Sequence, residues 1–427
     1  MPDFPPAAES TRRASRATGW VWAFLPILAG VLLLQPNYDW DAGRPRQNPY
    51  GSDFLQEYVG GRIVLGGQSH RLYDGELSRT LQADAEFLGY EPTGPGYYPM
   101  VYPPFWYAAV APLSIVPLRW AAPVWLVVLG GAWVAALRWA SAGDARTGRA
   151  LRRSAPVLLL AGPLLLSLAM GQKSILLTAS LLMCVLLIER GRLSAAGVAL
   201  GLISFKPHLM LLLAGPLVLR YRWRFLRGLL AAAAAATAIG FLVSGEAMAG
   251  YAVFIGRSLD GSYSGHAGYR LIETHNWAGL WERAMGPGAM SRQATLLWSV
   301  ATLVFVSMVA VTNRGRPLSP TGWTAVVLSA VLVSPHFYSY DLLLLAVPAV
   351  LLVRQIDGQP RRAVLRGMAG LLTLTLLPRV SGYFPTFSLQ WSTLFLATAF
   401  FVCCVRELRR PRDESITLAA SRRVPAG

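Results

Sequence analysis

Residues 174–219 decide the fold class: they read SILLTASLLMCVLLI, then ERGR, then LSAAGVALGLISFKPHLMLLLAGPLVL. A helix needs roughly 20 apolar residues to cross the hydrocarbon core of a bilayer, within a range of about 17–25. Apolar blocks close to this length, separated by a short connector that carries arginine, are typical of successive membrane helices. The stretch therefore predicts an all-α membrane protein and not the core of a soluble domain.

The composition of the whole chain agrees with this stretch. Of the 427 residues, 54% are hydrophobic and only 14% are charged, and the mean hydropathy is +0.42. Soluble globular proteins carry about 25% charged residues. The shortage of charge excludes a soluble enzyme of two or three domains, and the 40 Gly and 29 Pro residues follow no collagen-like period.

The charged residues that remain are mostly arginine. The net charge is +17 at pH 7, and all the basic residues except Lys173 and Lys206 are arginine. In a soluble chain such a charge would favour nucleic acid as a partner, but in a membrane protein basic loops fix the orientation in the bilayer. We therefore expect no nucleic-acid partner. Cys184, Cys403 and Cys404 lie inside apolar runs, which predicts neither a disulfide framework nor a cysteine metal site.

Apolar runs recur along the chain, and alternate connectors between them are rich in arginine. The runs are Trp20–Gln35, Ala121–Ala140, Pro156–Met170, Ser174–Ile188, Ser194–Phe205, Leu209–Leu219, Gly228–Val243, Ala294–Thr312, Trp323–Ser334, Leu342–Val353, Val364–Leu377 and Leu389–Val405. The arginine-rich connectors all fall on the cytoplasmic side if the N-terminus does. The pattern predicts about 12 transmembrane helices in one integral domain, residues 1–427, of the cell (inner) membrane. Both termini are expected in the cytoplasm, with residues 406–427 as a tail.

Two segments are predicted to lie outside the membrane on the opposite face. The first outer segment, residues 37–103, is polar and is expected to hold two juxtamembrane helices, one after Asp53 and one capped by Asp74. The apolar run that follows from residue 104 is too short to span the bilayer. The second outer segment covers residues 246–292.

A proline interrupts the apolar stretch 193–219 near its middle. Pro207 lacks a backbone N–H and disfavours the helical region for the preceding Lys206, so two short helices are expected to meet there. A helix that is broken at membrane depth is tolerated only where protein or a water-filled cavity surrounds it. The apex formed by Lys206, Pro207 and His208 is therefore predicted to line a cavity.

Ionisable side chains gather on the outer face in this topology. Both lysines and all five histidines fall there, whereas a pump or a proton-coupled transporter more often places such groups in mid-span along a pathway. The sequence therefore favours a site at the outer membrane surface. Asp53 is its first candidate, although an isolated carboxylate at a helix start often only caps the helix.

Four motifs in a fixed order accompany this site. They are Ser52-Asp53-Phe54 with a downstream Leu72-Tyr73-Asp74, Tyr102-Pro103-Pro104-Phe105, Gly171-Gln172-Lys173 with the later Lys206-Pro207, and Ser334-Pro335-His336 with Tyr338, Tyr340 and Asp341. In this order and spacing the chain resembles glycosyltransferase family 87 over residues 20–353. Members of that family are GT-C-type polytopic enzymes that use polyprenyl-phosphate-linked sugars. The resemblance implies a GT-C-type helical bundle.

The resemblance also implies roles for individual residues. Asp53 is similar to the family's proposed general base, which would take a proton from an acceptor hydroxyl during an inverting displacement. Cations and N–H donors would stabilise the lipid-phosphate leaving group. The candidates for this phosphate are Lys206, His336, His208, Lys173 and Gln172. The candidates for the acceptor or the sugar are Glu57, Arg62, Tyr102 and Tyr340.

Simpler structural interpretations stay open for these residues. Lys173 and Lys206 could be interfacial lysines that snorkel to the membrane surface, and His336 could bond a carbonyl at a helix end. The tyrosines could belong to an interfacial aromatic belt. Glu57 could hold an acceptor hydroxyl or pair with Arg62.

The hypothesis from the sequence is a mannosyltransferase-like membrane enzyme. It would transfer a hexose or pentose from a polyprenyl-phosphate sugar to a lipid or glycan acceptor on the extracytoplasmic side. No cofactor and no metal are expected, because the nearest Asp-x-Asp sequence, Asp39-Trp40-Asp41, lies apart from the four motifs. A transporter or flippase of lipid-linked sugars is one alternative. A polymer ligase is another, because Arg257, Arg270 and Arg283 fall in the second outer segment.

Overall fold

The computed structural model describes residues 38–39, 44–45, 52–89, 98–143, 145–151, 162–259, 274–312, 314, 316–355 and 390–410. Within these ranges the chain is helical except for connectors and one antiparallel pair of two-residue strands, β1 (Tyr38–Asp39) and β2 (Arg44–Pro45). The all-α fold class is therefore confirmed. The predicted spans Trp20–Gln35 and Val364–Leu377 and the predicted tail beyond Arg410 lie outside the described residues.

Fifteen α-helices are delimited within the described residues. They are α1 (Ser52–Leu65), α2 (Gly75–Ala83), α3 (Ala85–Leu88), α4 (Pro104–Val110), α5 (Leu118–Gly143), α6 (Gly162–Met170), α7 (Ser174–Glu189), α8 (Leu193–Gly201), α9 (Pro207–Val243), α10 (Gly245–Leu259), α11 (Trp277–Met285), α12 (Ala289–Thr312), α13 (Pro320–Val333), α14 (Ala346–Gln355) and α15 (Trp391–Leu408). Residues 145–151 are also helical. Short 3₁₀ helices cover Ser69–Arg71, Ala111–Ile115 and Ser339–Leu345.

Four of these helices, α5, α9, α12 and α15, are long and apolar enough to cross a membrane. Three of them coincide with predicted apolar runs, namely 121–140, 294–312 and 389–405. Helices α7 and α13 and the segment Pro104–Ile115 are apolar but shorter. The chain is therefore a helical membrane protein, and the figure of about 12 transmembrane helices stays a prediction.

The longest helix, α9, corrects one connector of the predicted topology. The sequence predicts two spans, 209–219 and 228–243, joined by an arginine-rich loop. The structure has helical geometry on both sides of Arg222, the one residue within α9 that departs from it, with a φ of 55°. The two predicted spans are therefore the two halves of α9, which join at Arg222 and not through a longer loop.

Both ends of α9 lie at the same end of the molecule. Lys206, directly before α9, contacts Asp341, and α10, directly after it, packs on Tyr73 of the first outer segment. The middle of α9 lies elsewhere, since Arg220 donates to the carbonyl of Arg316. Helix α9 therefore runs from one end of the bundle to the other and back.

Arginine-rich connectors meet at the end of the bundle where α9 kinks. Arg314 donates to the Leu219 carbonyl at 2.9 Å, and Arg354 forms an ion pair with Glu189. We call this the arginine end, and we call the opposite end, which holds Lys206, the site end. Basic connectors therefore collect on one side of the described bundle.

Two local expectations near the first outer segment are confirmed. Asp74 caps α2, because its carboxylate accepts hydrogen bonds from the backbone N–H groups of Glu76 and Leu77. The apolar segment that begins at Pro104 ends at Ile115, which makes it too short to span a bilayer. Both features belong to helices that lie around the site end.

Two glycines let α8 pack closely against the second half of α9. A Cβ added to Gly197 would lie 2.2 Å from the Phe225 carbonyl oxygen, and one added to Gly228 would lie 1.9 Å from the Ser194 carbonyl oxygen. In membranes, where lipid tails are as apolar as leucine, helix association depends on such close contacts. The two glycines therefore fix α8, which ends just before Lys206.

We expect Gly228→Ala to destabilise the protein, because its methyl group would force the two helix backbones apart at a cost of about 1–3 kcal/mol. Gly215→Ala is the matched control, since none of the described residues has an atom within 4 Å of its Cβ position. Alanine is the better helix former, so this control is expected to be neutral or slightly stabilising. Thermal unfolding in detergent measures both variants, and equal midpoints would contradict the packing role.

Candidate functional site

The turn between α6 and α7 organises the site. Gly171 has a φ of 68°, a left-handed conformation that glycine adopts without strain, and its carbonyl accepts from Trp125 Nε1 at 2.8 Å. The next three residues, Gln172, Lys173 and Ser174, each contact a different carboxylate. Three acids from two segments, each more than a hundred residues from this turn, therefore converge on it.

Asp53 is the acid that Gln172 contacts. The Gln172 Nε2 atom donates to Asp53 Oδ2. Asp53 lies in the first turn of α1, but the hydrogen bond that the structure gives to its carboxylate runs across the site. The other amide atom of Gln172, Oε1, is buried and has no hydrogen-bond partner among the described residues. The structure therefore brings Asp53 and Gln172 together and leaves the Gln172 Oε1 atom without a partner among the described residues.

Glu57 lies one turn further along α1 and forms an ion pair with Lys173. Both side chains are fully buried. Trp106 Nε1 donates to Glu57 Oε2 at 3.2 Å, and the Lys173 ammonium lies 3.4 Å from the centre of the Tyr102 ring. Protein encloses the Lys173 ammonium, so this lysine does not snorkel to a membrane surface.

Asp341 is the third acid, and it holds Lys206. The Lys206 Nζ atom donates to Asp341 Oδ1 at 2.6 Å, and the Ser174 hydroxyl donates to the same oxygen at 2.5 Å. The Lys206 ammonium lies 5.3 Å from the centre of the Tyr340 ring. As predicted, the helix is broken before Pro207: α8 ends at Gly201, and Lys206 is the N-cap of α9. The apex therefore points its lysine into the site.

Two of the predicted histidines lie beside Lys206. The rings of His208 and His336 are 6.2 Å apart and nearly perpendicular, and both interact electrostatically with the Lys206 ammonium. The Nε2 atom of His208 is buried and makes no hydrogen bond within the described part of the chain. A polar ring nitrogen is therefore available at the apex.

Arg62 is the predicted site residue that the structure does not bring into this group. It is exposed, its guanidinium donates to the Ser114 carbonyl at 3.2 Å, and it lies over the Phe87 ring. The pairing of Arg62 with Glu57, which the sequence left open, is absent, because Glu57 binds Lys173 instead.

We call Asp53, Glu57, Lys173, Lys206 and Asp341 the carboxylate–lysine cluster. It holds three acids and two lysines, and Asp53 is the acid without a lysine of its own among the described residues. Burial raises the pKa of Asp53 above its ordinary value, and the Gln172 hydrogen bond and both lysines oppose that rise. Burial also raises the pKa of Glu57, against the opposing charge of Lys173.

Three contributors to this cluster were not named as site residues from the sequence: Asp341, Ser174 and Trp106. Asp341 stands in a recognised motif directly before the buried residues Leu342–Leu345. An acid at the edge of such a run needs a buried partner, which is the signal that could have marked Asp341, although it does not say which basic residue is the partner. Ser174 and Trp106 carry no comparable signal.

No group of three His, Cys, Asp or Glu side chains in the described ranges is arranged to hold a metal ion. The carboxylates of the cluster are already occupied by lysine, serine or amide donors. The expectation of a reaction without metal stays a prediction, as does the expectation of no cofactor.

The sequence model of glycosyltransferase family 87 matches residues 100–335, more than half of the chain. The chain belongs to glycosyltransferase family 87. It is therefore a membrane glycosyltransferase of GT-C type, and the interpretation as a transporter is replaced by that of an enzyme. Comparisons with curated proteins and with solved structures gave no match.

The match to family 87 covers one part of the cluster. Lys173 and Lys206 lie within the matched residues, whereas Asp53, Glu57 and Asp341 lie outside them. The contacts join the two groups, because each outlying acid binds a residue of the matched part. The cluster is therefore the place where the family segment meets the rest of the chain.

Proposed function

We propose that this family 87 enzyme transfers a hexose or pentose, with a mannose-like sugar favoured, from a polyprenyl-phosphate donor to a lipid or glycan acceptor. The observation that carries the proposal is the convergence of three acids on residues 172–174, beside two lysines. Sugar transfer from a lipid phosphate needs a base for the acceptor hydroxyl and cations for the phosphate. This cluster offers both. The proposal includes no metal and no cofactor.

Asp53 is the proposed general base. Glu57 and Asp341 are each bound by the ammonium group of a lysine, whereas Asp53 has no lysine of its own among the described residues. Asp53 is bound to the neutral amide of Gln172, which orients the carboxylate without protonating it. An acceptor hydroxyl within about 2.6–3.2 Å of the free oxygen could then lose its proton as it attacks the anomeric carbon. Inversion follows if the phosphate leaves from the opposite face of the sugar.

Lys206, His208 and His336 are the proposed partners of the leaving phosphate. A lysine ammonium has three donors, so Lys206 can keep its bond to Asp341 and still donate to a phosphate oxygen. In the tautomer that carries its proton on Nε2, His208 is a further donor beside it, because this atom has no partner among the described residues. Negative charge grows on the phosphate as the bond to the sugar breaks, and these groups would stabilise it.

The sugar is proposed to bind between the two lysines. The Tyr102 and Tyr340 rings lie over Lys173 and Lys206 respectively, and aromatic faces with nearby polar groups suit a sugar ring. Lys173 and Gln172 would lie on the side of the base. Arg62 would meet an acceptor only at the exposed rim of α1.

The site end is proposed to face away from the cytoplasm. Basic connectors favour the cytoplasmic side, and the described ones collect at the arginine end. With about 12 spans, both termini would then be cytoplasmic, and a lipid-linked sugar in the outer leaflet of the cell membrane would reach the cluster directly.

The purified protein should transfer labelled sugar from a synthetic polyprenyl-phosphate mannose to an extract of membrane glycolipids. Donors that carry other hexoses or pentoses on the same lipid, and a nucleotide-linked sugar, are compared in parallel. A product formed from the nucleotide donor alone would overturn the proposed donor class. A lipid-linked donor that is consumed by water but by no acceptor would overturn the proposed acceptor class.

The rate of transfer is expected to fall on the acid side at a higher pH than an exposed aspartate would give. A general base acts in its ionised form, and burial raises the pKa of Asp53. The protonated fraction therefore grows as the pH falls through that raised value. The pH dependence of kcat/KM measures this limb.

The Gln172→Ala variant supplies the control for this profile. The Gln172 hydrogen bond lowers the pKa of Asp53, so its removal is expected to move the acid limb to a still higher pH. An apparent pKa for the fall in wild-type kcat/KM at or below the ordinary aspartate value of 3.8 would contradict the assignment of Asp53. So would an apparent pKa that does not change in Gln172→Ala.

A further inference from the structure

A buried polar group outside the carboxylate–lysine cluster joins three distant segments of the chain. Thr274, His275 and Asn276, at the start of α11, are at most 3% exposed. They contact the connector between α13 and the following 3₁₀ helix, and also the start of α15. So many polar side chains are buried at a cost that their hydrogen bonds must offset. The proposed reaction uses none of them.

His275 bridges two hydroxyl groups. Its Nδ1 atom lies 3.0 Å from Ser392 Oγ, and its Nε2 atom lies 2.9 Å from Ser339 Oγ. Its backbone N–H donates to the Phe337 carbonyl at 2.8 Å. Burial lowers the pKa of His275 to about 4, so the ring is neutral near pH 7 and has one donor and one acceptor nitrogen. The neutral ring can therefore donate to one hydroxyl and accept from the other, since a hydroxyl can do either.

Asn276 uses both ends of its side-chain amide. The Oδ1 atom caps α11 by accepting from the Gly279 N–H at 2.8 Å, and the Nδ2 atom donates to the Ser334 carbonyl at 2.5 Å. Residues 275 and 276 therefore hold the connector 334–339 at its beginning, at Phe337 and at its end. Ser334 in turn donates to the His336 carbonyl at 3.0 Å.

The connector 334–339 carries His336 and leads directly to Tyr340 and Asp341. Its position therefore sets where the histidine lies relative to Lys206 and where the Asp341 carboxylate meets Lys206 and Ser174. The segment 274–276, which comes from the second outer segment, holds the connector from outside the cluster.

We propose that His275 and Asn276 are positioning residues of the transfer reaction, which hold the connector 334–339 so that His336 and Asp341 stand in place for the donor phosphate. This inference rests on the proposed function, since it assigns the connector to the phosphate side of that site. The second outer segment thereby takes part in catalysis without touching the substrate.

The test uses Asn276→Asp and Asn276→Ser in the full-length protein. Aspartate and serine both cap helices well, so α11 keeps its cap, but both variants lose the amide donor to the Ser334 carbonyl. A displacement of about 1 Å at a reacting group can cost on the order of 100-fold in rate. We expect kcat to fall about 10- to 100-fold, with the KM for the acceptor unchanged. Asp84→Ala, which removes the cap of α3 and not a contact of the connector, is expected to leave kcat unchanged.

A double-mutant cycle with His336→Ala separates positioning from general stability. If Asn276 acts through the connector, Asn276→Asp should lower kcat by a smaller factor once His336 is replaced than it does in the wild type, since coupled residues are not additive. Full additivity of the two losses would overturn the proposal. So would a fall in kcat for Asn276→Asp that tracks its loss of folded protein in thermal unfolding.

A second measurement does not depend on the substrate. Hydrogen exchange of the unliganded protein is followed by mass spectrometry over residues 334–341. Faster exchange there in Asn276→Asp, with α11 still protected, supports the positioning role. This holds even if the enzyme uses no polyprenyl-phosphate donor, a result that would contradict only the proposed function. Unchanged exchange together with unchanged kcat would overturn the positioning role while leaving the proposed function intact.

Discussion

Replacing the carboxylate of Asp53 by an amide in Asp53→Asn is expected to lower kcat about 10³-fold, the middle of the range that general bases contribute. The amide has nearly the same shape and can still bond Gln172, whose free Oε1 atom is able to accept. The site should therefore keep its geometry and lose only the proton acceptor.

Donor binding by this variant is expected to be as tight as in the wild type, or tighter. Asp53 is the acid without its own lysine among the described residues, so its removal leaves Lys173 and Lys206 with less opposing charge. A phosphate should then be attracted at least as strongly. Binding of a labelled donor and single-turnover transfer, measured on the same preparation, separate the two effects.

Asp84→Asn is the matched control for this experiment. Asp84 is an exposed acid of the first outer segment that caps α3, and asparagine caps as well as aspartate, so transfer should not change. A weakened donor affinity with normal turnover in Asp53→Asn would assign Asp53 to binding. Turnover within about 10-fold of the wild type would remove it as the base, because a base contributes at least about 10².

Local sequence rules predicted the backbone of the site better than its contacts. Pro207 predicted the break between α8 and α9, and Asp74 predicted the start of α2. Each residue affects only the backbone next to it, where proline breaks a helix and aspartate caps one. Arg222 shows the limit of these rules. A run of arginines predicts which side of the membrane a connector lies on. Whether the chain turns there through a loop or at a single residue depends on tertiary packing, here of Arg224 against Ser194 and of Arg220 against Arg316.

The pairing of acids with bases could not be derived from spacing. The sequence suggested two partners for Glu57, an acceptor hydroxyl and Arg62. In the structure Glu57 binds Lys173, which is more than a hundred residues away. Such a choice is made by the tertiary fold, which buries Glu57 and leaves Arg62 exposed. The sequence offers many arginines and two lysines as possible partners of a buried acid, and its spacing does not choose among them.

The buried pair of Glu57 and Lys173 supplies the second large expectation, which concerns stability. Lys173→Met is expected to destabilise the protein by about 3–5 kcal/mol, because it leaves the Glu57 carboxylate buried without its cation. Glu57→Gln is expected to cost a similar amount by stranding the ammonium. Both side chains are fully buried, so water cannot replace the missing partner. Thermal and denaturant unfolding in detergent provide the measurement.

The double variant Glu57→Gln/Lys173→Met should recover most of the lost stability, since replacing a whole buried ion pair is often neutral or stabilising. Arg71→Ala is the matched control, because it breaks the exposed pair with Asp74, and exposed pairs are worth about 0–1 kcal/mol. If the double variant folds but transfers no sugar, the ion pair is needed for the reaction. The loss of stability from burying its two charges is then tied to function. If it folds and transfers at the wild-type rate, Lys173 and Glu57 are structural, and the proposed base and phosphate partners act without them.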